Sequence, residues 1–186
     1  MSTIKTTNIT HGSNTGTANM VLASDGKVTF ASAVGLFSSY AILEDQKSQN
    51  TAGGGYDNAD DWVKRDVNTE VADPDGIVSI SSNEFTLGAG NYLIKWSVPF
   101  YRVNNVSSRL YDVTNSAVKG YSQNGYGYSS SEGINQINGI ARVTPTGSTA
   151  YKIEMKASSD KSTNGLGQEH NFGTEVYTQV EIYKEA

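Results

Sequence analysis

The chain contains no cysteine. Disulfide staples and thiolate metal sites are therefore excluded, and redox logic gives no clue to compartment. Histidine is almost absent too, with only His11 and His170. A metal centre needs several converging ligands, so neither a metal nor a cofactor is expected. There is no basic excess: 14 Lys and Arg stand against 19 Asp and Glu, for a net charge of -5. That balance argues against a grip on nucleic acid or on an anionic membrane. No apolar run approaches the roughly 20 residues that span a bilayer, so no membrane insertion is expected. The first residues, MSTIKTTNITHGS, lack the apolar core of a secretory signal, which predicts synthesis in the cytoplasm without that route of export. No window of about 11 residues carries a helical period of apolar positions.

What is present is 19 Gly, 11 Tyr and abundant Ser, Thr and Asn. This composition suits many short strands joined by polar turns, and the fold class is all-β. The 186 residues are enough for one domain and a modest extra segment. A domain of this size buries about 70% of its unfolded surface and needs no staple.

The clearest element is Phe85 to Val103. Tyr92, Ile94, Trp96 and Val98 alternate with Leu93, Lys95 and Ser97, which predicts a central core strand with Pro99 stopping or bending its ladder. Upstream, residues 1 to 18 form a polar arm. Met20–Ala23 and Lys27–Phe30 flank Ser24-Asp25-Gly26, a hairpin signal that calls for φ > 0 at Asp and Gly. So small a hairpin needs another surface to pack on. Further strands are expected at Tyr40–Asp45, Ile77–Ile80, Val106–Thr114, Ala117–Tyr121, Ile134–Val143 with a bulge at Gly139, Tyr151–Lys156 and Thr174–Lys184. In the last of these, Val176, Thr178, Val180 and Ile182 are expected inside, with Tyr177 and Tyr183 outside. Ser122 to Gly133 reads as a loop. Eight to ten strands at this spacing predict a sandwich or barrel.

Several motifs occur in a set order: Tyr40-Ala41-Ile42 with Asp45 and Lys47, then Gly53-Gly54-Gly55, then Trp62, Arg65 and Asn68. Phe85-Thr86-Leu87, Ala89-Gly90 and Tyr92 follow, then Arg109 to Thr114 and Asn164 to Gly167. Over residues 38 to 184 this series resembles the C1q/TNF-like jelly rolls, and more sharply the phage virion proteins with that domain. Thr15 to Phe30 is similar to linking modules of phage fibre proteins. The resemblance implies an antiparallel jelly-roll sandwich at 34–186, an attachment segment at 1–33, and a homotrimer with Tyr177 and Tyr183 at its interface. It implies attachment through Ile4, Ile9, Met20, Leu22, Val28 and Phe30 to the major capsid protein or to tail proteins at the virion surface. Two roles stay open, a capsid decoration or cement protein and a short tail fibre. A chain with only a short arm and no shaft favours decoration.

Catalytic signals are weak. No G-x-S-x-G pattern occurs, and Gly53-Gly54-Gly55 lacks the lysine of a phosphate loop. The acidic residues Asp57, Asp60, Asp61, Asp73 and Asp75 carry calcium-type oxygen, but not at EF-hand spacing; a solvated turn cluster is the expectation. Nothing marks a carboxylate pair for glycoside hydrolysis, so no enzyme is expected. Tyr121, Tyr126 and Tyr128 among Gly, Ser and Asn have the composition of an adaptable contact surface, on which a host surface glycan could stack.

Overall fold

A computed structural model describes residues 7–10, 20–30, 35–130 and 133–186, without the side chains of Thr29, Phe30 and Ile134. The chain divides into two compact units, Met1–Ser38 with Ala186, and Ser39–Glu185. In the first, strands β1 (Asn8–Ile9), β2 (Met20–Leu22) and β3 (Val28–Phe30) form an antiparallel sheet in that order. Its turn differs from expectation. The Ala23 N–H bonds the Lys27 carbonyl at 2.8 Å, leaving three residues in the loop, and Gly26 takes φ 83° whereas Asp25 does not go positive. The extra residue turns the expected two-residue hairpin into one closed by a left-handed glycine. Asp25 instead accepts the Lys27 N–H at 3.0 Å.

The second unit is a two-sheet sandwich. Its elements are β4 (Phe37–Lys47), β5 (Val63–Lys64), β6 (Thr69–Ala72), β7 (Val78–Ser81), β8 (Glu84–Leu87), β9 (Tyr92–Tyr101), β10 (Asn104–Asp112), β11 (Ala117–Tyr121), β12 (Gly125–Gly127), β13 (Ile134–Val143), β14 (Thr149–Ala157) and β15 (Glu175–Glu185). One sheet runs β13-β9-β15-β4-β6. The other runs β11-β10-β14-β8-β7, with β12 also on β10 and β5 also on β14. The interleaving of sequence-distant strands in two antiparallel sheets is a jelly roll.

Period-two patterning builds the core. Tyr92, Ile94, Trp96, Val98 and Phe100 all point inward from β9 and are essentially buried. They meet Val106 and Leu110 of β10 and Tyr151, Ile153 and Met155 of β14. The Phe85 and Tyr151 rings stack at 5.8 Å. Pro99 does not end the strand. The β9–β15 ladder closes at Ser97, while the β9–β13 ladder continues through Pro99 to Tyr101. The missing N–H therefore falls where one neighbour has already left.

Gly139 makes no bulge either, since β13 pairs β9 without a register shift and Gly139 sits opposite Trp96. A Cβ on Gly139 would lie 2.0 Å from the Trp96 ring. The glycine is a platform for the indole, whose Nε1–H donates to Ser108 Oγ at 2.9 Å on the other sheet. Part of the expected loop after Tyr121 is strand β12, because Gly125 and Gly127 pack against the Phe100 ring as β12 pairs Asn104–Val106.

Two substitutions check this arrangement. Gly139→Ala is expected to overpack the indole and cost about 1–3 kcal/mol. Trp96→Ser is expected to cost about 3–5 kcal/mol by emptying the core. Urea denaturation measures both, and a Trp96→Ser protein as stable as the parent would contradict the face assignment.

Candidate functional site

The predicted attachment residues converge in the small sheet. Ile9 pairs Met20 in register, Leu22 pairs Val28, and the Phe30 backbone pairs Met20. Cross-strand partners share a face. Ile9, Met20, Leu22 and Val28 thus form one apolar face, and none of them is buried. Ile4, His11 and most of the polar arm lie outside the described residues.

The last strand corrects the two tyrosines assigned to a shared outer face. Tyr177 is buried, its hydroxyl donating to the Thr51 carbonyl at 2.7 Å. Val176, expected inside, is 40% exposed. Alternation slips because Tyr177 and Thr178 are both buried. Loop demand causes the slip. Glu175, at the head of the strand, turns inward to accept the N–H groups of His170 at 3.0 Å, Asn171 at 2.9 Å and Asn50 at 3.3 Å. Tyr177 therefore supports the loops from within the protomer and is withdrawn as an interface residue. Tyr183 keeps its place on the outer face of the five-stranded sheet, its hydroxyl 2.6 Å from Glu181 Oε2.

That outer face holds a depression of about 750 Å³ lined by Ile42, Val71, Lys95, Gln179, Glu181 and Tyr183. Its charges are matched in place: Lys95 meets Glu181 at 3.0 Å, and Gln179 Nε2 donates to Glu44 at 2.7 Å. Around them, large apolar side chains stay open. Tyr40 is 45%, Val71 49% and Ile140 59% exposed.

The three tyrosines singled out in the sequence are all more than half exposed. They form two groups. Tyr126 and Tyr128 tilt against each other with ring centres 6.2 Å apart. Tyr121 instead meets Trp62 at 6.1 Å. Trp62, missed in the sequence as a surface group, covers the Arg109 guanidinium at 4.2 Å, and Tyr111 flanks the same cation at 4.8 Å. Glu154 fixes the stack by accepting from Arg109 Nε at 2.6 Å and pairing Lys152 at 2.7 Å. Only cross-strand register reveals this cluster, since Tyr121 lies opposite Arg109.

The motif residues around Asp45 serve the interior. Asn68 Nδ2 donates to Asp45 Oδ1 at 2.9 Å, and Lys47 pairs Asp45 at 3.2 Å. Burial raises the Asp45 carboxyl above its ordinary value. Arg65 is fully buried and donates to the Leu166 carbonyl at 2.6 Å and to Thr178 Oγ1 at 3.1 Å. Burial pushes its guanidinium down to about 10, still charged at neutral pH.

The acidic turns serve as turns. Asp73 accepts the N–H groups of Ile77 and Val78 at 2.9 and 3.0 Å. Asp75 accepts Ser39 Oγ–H at 2.6 Å. Among the described residues no cluster of three or more acidic or His side chains could hold a metal.

Comparison with known proteins gives the fold. No protein-family model matches this chain, and no curated protein matches it either. Solved structures do. The Eiger TNF of S. frugiperda superposes with a TM-score of 0.54 at 14% identity, covering 80% of this chain and 94% of its own. Murine APRIL superposes with a TM-score of 0.52 at 9% identity, covering 78% and 98%. The protein has a TNF-like jelly-roll fold.

Acid sensitivity should report on the Glu175 cap. Burial pushes its carboxyl up, but the three N–H donors outweigh that and hold it below the usual range. Burial and hydrogen bonds from Asn115 and Lys119 oppose each other likewise at Asp112, with the same net result. A carboxyl lowered on folding stabilises fully above its unfolded value, and that contribution is lost as pH falls through the folded value. The urea midpoint is expected to drop as pH falls below about 4. Glu175→Gln should lower the midpoint at pH 7 and flatten the fall; an unchanged acid profile would rule out the cap.

Proposed function

We propose that the protein is a non-enzymatic phage virion protein, displayed at the particle surface as a homotrimer. The outer face of the five-stranded sheet carries the trimer reading. Its open apolar side chains, Tyr40, Val71 and Ile140, surround internally matched charges on a TNF-like jelly roll. A face of this kind suits burial against copies of itself, and closed symmetry is the common solution for soluble oligomers. Tyr183 lies on that face. The ordered motifs from Tyr40 to Tyr92 and the fibre-like Thr15–Phe30 segment support the virion reading.

Within the virion we favour capsid decoration. The small sheet presents Ile9, Met20, Leu22 and Val28 on one face. Three short strands hold too little apolar surface to enclose a core, so such a face suits docking on the major capsid protein. The open Tyr126–Tyr128 pair supports a second reading, a short fibre whose tip binds a host surface glycan.

Three measurements test these statements. Sedimentation should give a trimer for the parent and a monomer for Ile140→Asp, and a parent that sediments as a monomer removes the trimer. Quantitative mass spectrometry of purified particles should count hundreds of copies for decoration, against a few tens or fewer for a fibre. Deleting residues 2–30 should release the protein from capsids; retained binding to empty heads would sink attachment through that segment.

A further inference from the structure

The outer face of the seven-stranded sheet carries a site of its own. Along β10 the residues Asn105, Ser107, Arg109 and Tyr111 share that face, because Val106, Ser108, Leu110 and Asp112 point into the core. Between the two aromatic groups lies an open groove of about 450 Å³, lined by Asp60, Asn105, Ser107, Asn124 and Lys156. This is within the range of ligand sites, roughly 300–1,000 Å³.

Two features set the groove apart from the other surface depressions. First, none of these five side chains makes a hydrogen bond or ion pair among the described residues, although the groove walls are hydrogen-bonded through backbone: Asp60 N–H to the Ala157 carbonyl at 2.8 Å and Asn105 N–H to Ser158 Oγ at 3.2 Å. In the depression on the opposite sheet, by contrast, Lys95, Glu181, Gln179 and Tyr183 already satisfy one another or a neighbour. The groove thus presents a carboxylate, two amides, a hydroxyl and an ammonium, uncommitted and converging. Second, exposed rings flank the β10 stretch that lines the groove, although no ring lines the groove itself. Tyr126 is level with Asn105, and Tyr121 is level with Arg109, where it leans on Trp62. Four residues of strand separate them, about 13 Å. Trp62 is held rigidly by the Arg109 guanidinium, and Tyr126 is held by backbone pairing of β12 to β10.

We propose that this groove binds an oligosaccharide, with sugar rings laid on Tyr126 at one end and on Trp62 and Tyr121 at the other. Sugars combine apolar ring faces with a dense rim of hydroxyls. The flanking aromatics match the first, and the five mixed donors and acceptors match the second. The spacing of the two aromatic ends calls for a short chain rather than one sugar. The mixed charge, one Asp against one Lys, suits a polyol better than a strongly ionic ligand. The proposal deepens the ligand-binding reading above and rests on it for its biological sense. The groove nonetheless belongs to one protomer and does not depend on where in a particle the protein sits.

The test uses the purified full-length protein on a printed array of bacterial surface polysaccharide fragments with plant and animal oligosaccharides. At least one glycan class should bind, and its monosaccharide should bind at least tenfold more weakly in solution. Tyr126→Ala, Trp62→Ala and the double variant Asn105→Ala/Asn124→Ala should each weaken binding by at least tenfold at an unchanged melting temperature. Thr146→Ala, in the loop that precedes β14 at the end away from the groove, should bind as the parent does. Should Trp62→Ala melt early, Tyr126→Ala and the double Asn variant decide alone, since all three positions are exposed. Silence across the array, or binding that survives both of those variants, overturns the proposal. The particle copy number and the trimer mass are read separately, so a failed array leaves them standing.

Discussion

Trp96 ties the sandwich together. Its indole leaves the five-stranded sheet, packs closely over Gly139 of the neighbouring strand and donates to Ser108 Oγ on the seven-stranded sheet. Apolar contact fixes the distance between sheets only loosely, because dispersion is not directional. A buried donor with one acceptor fixes it closely, since leaving that N–H unpaired is costly. The same point anchors the surface. Ser108 and Ser122 exchange hydrogen bonds at 2.8 Å, and Gln123 N–H reaches the Asn138 carbonyl at 2.9 Å. The segment bearing Tyr121, Asn124 and Tyr126 is therefore suspended from the residues that hold the indole. Surface geometry and core geometry are one problem here.

A second centre is polar. Arg65 is a charge inside a sandwich with neutral acceptors, Leu166 O and Thr178 Oγ1. Its position near Asp45 and Asp66 favours the charged form against burial. Asp45, Lys47 and Asn68 extend the network to the edge of β4. These residues supplied much of the sequence resemblance. In this protein Arg65 holds the 160–170 loop through the Leu166 carbonyl, while Asp45, Lys47 and Asn68 tie β4 to the segment 66–68. A resemblance built on them speaks to architecture, and to ligand choice not at all.

This difference explains what could be read from the sequence. Turn-rich composition and the spacing of eight to ten strands, β9 the clearest, were enough for an all-β sandwich or barrel, because burial of one strand face has a period of two that no neighbour can hide. The faces of β15 were not legible: nothing local announces that Glu175 will turn inward to cap a loop 5 residues upstream. Gly139 was noticed but misassigned, since its reason is a ring 43 residues away. The tyrosines were visible as composition, whereas their grouping was not. Trp62 stands out in the sequence only as a motif residue, and only the pairing of Val63 with Met155 sets it beside Arg109. Long-range register, which sequence does not print, divides surface from core.

The β12 glycines have a consequence for how this protein could be altered. A Cβ on Gly125 would stand 2.5 Å from Ile137, and one on Gly127 would stand 2.8 Å from Phe100. Variation is thus blocked on the inward side of that strand and unrestricted on the outward side, at Asn124, Tyr126 and Tyr128. The backbone stays pinned while its displayed residues are free to change. A combinatorial library confined to those three positions would sample new specificities on an unchanging scaffold.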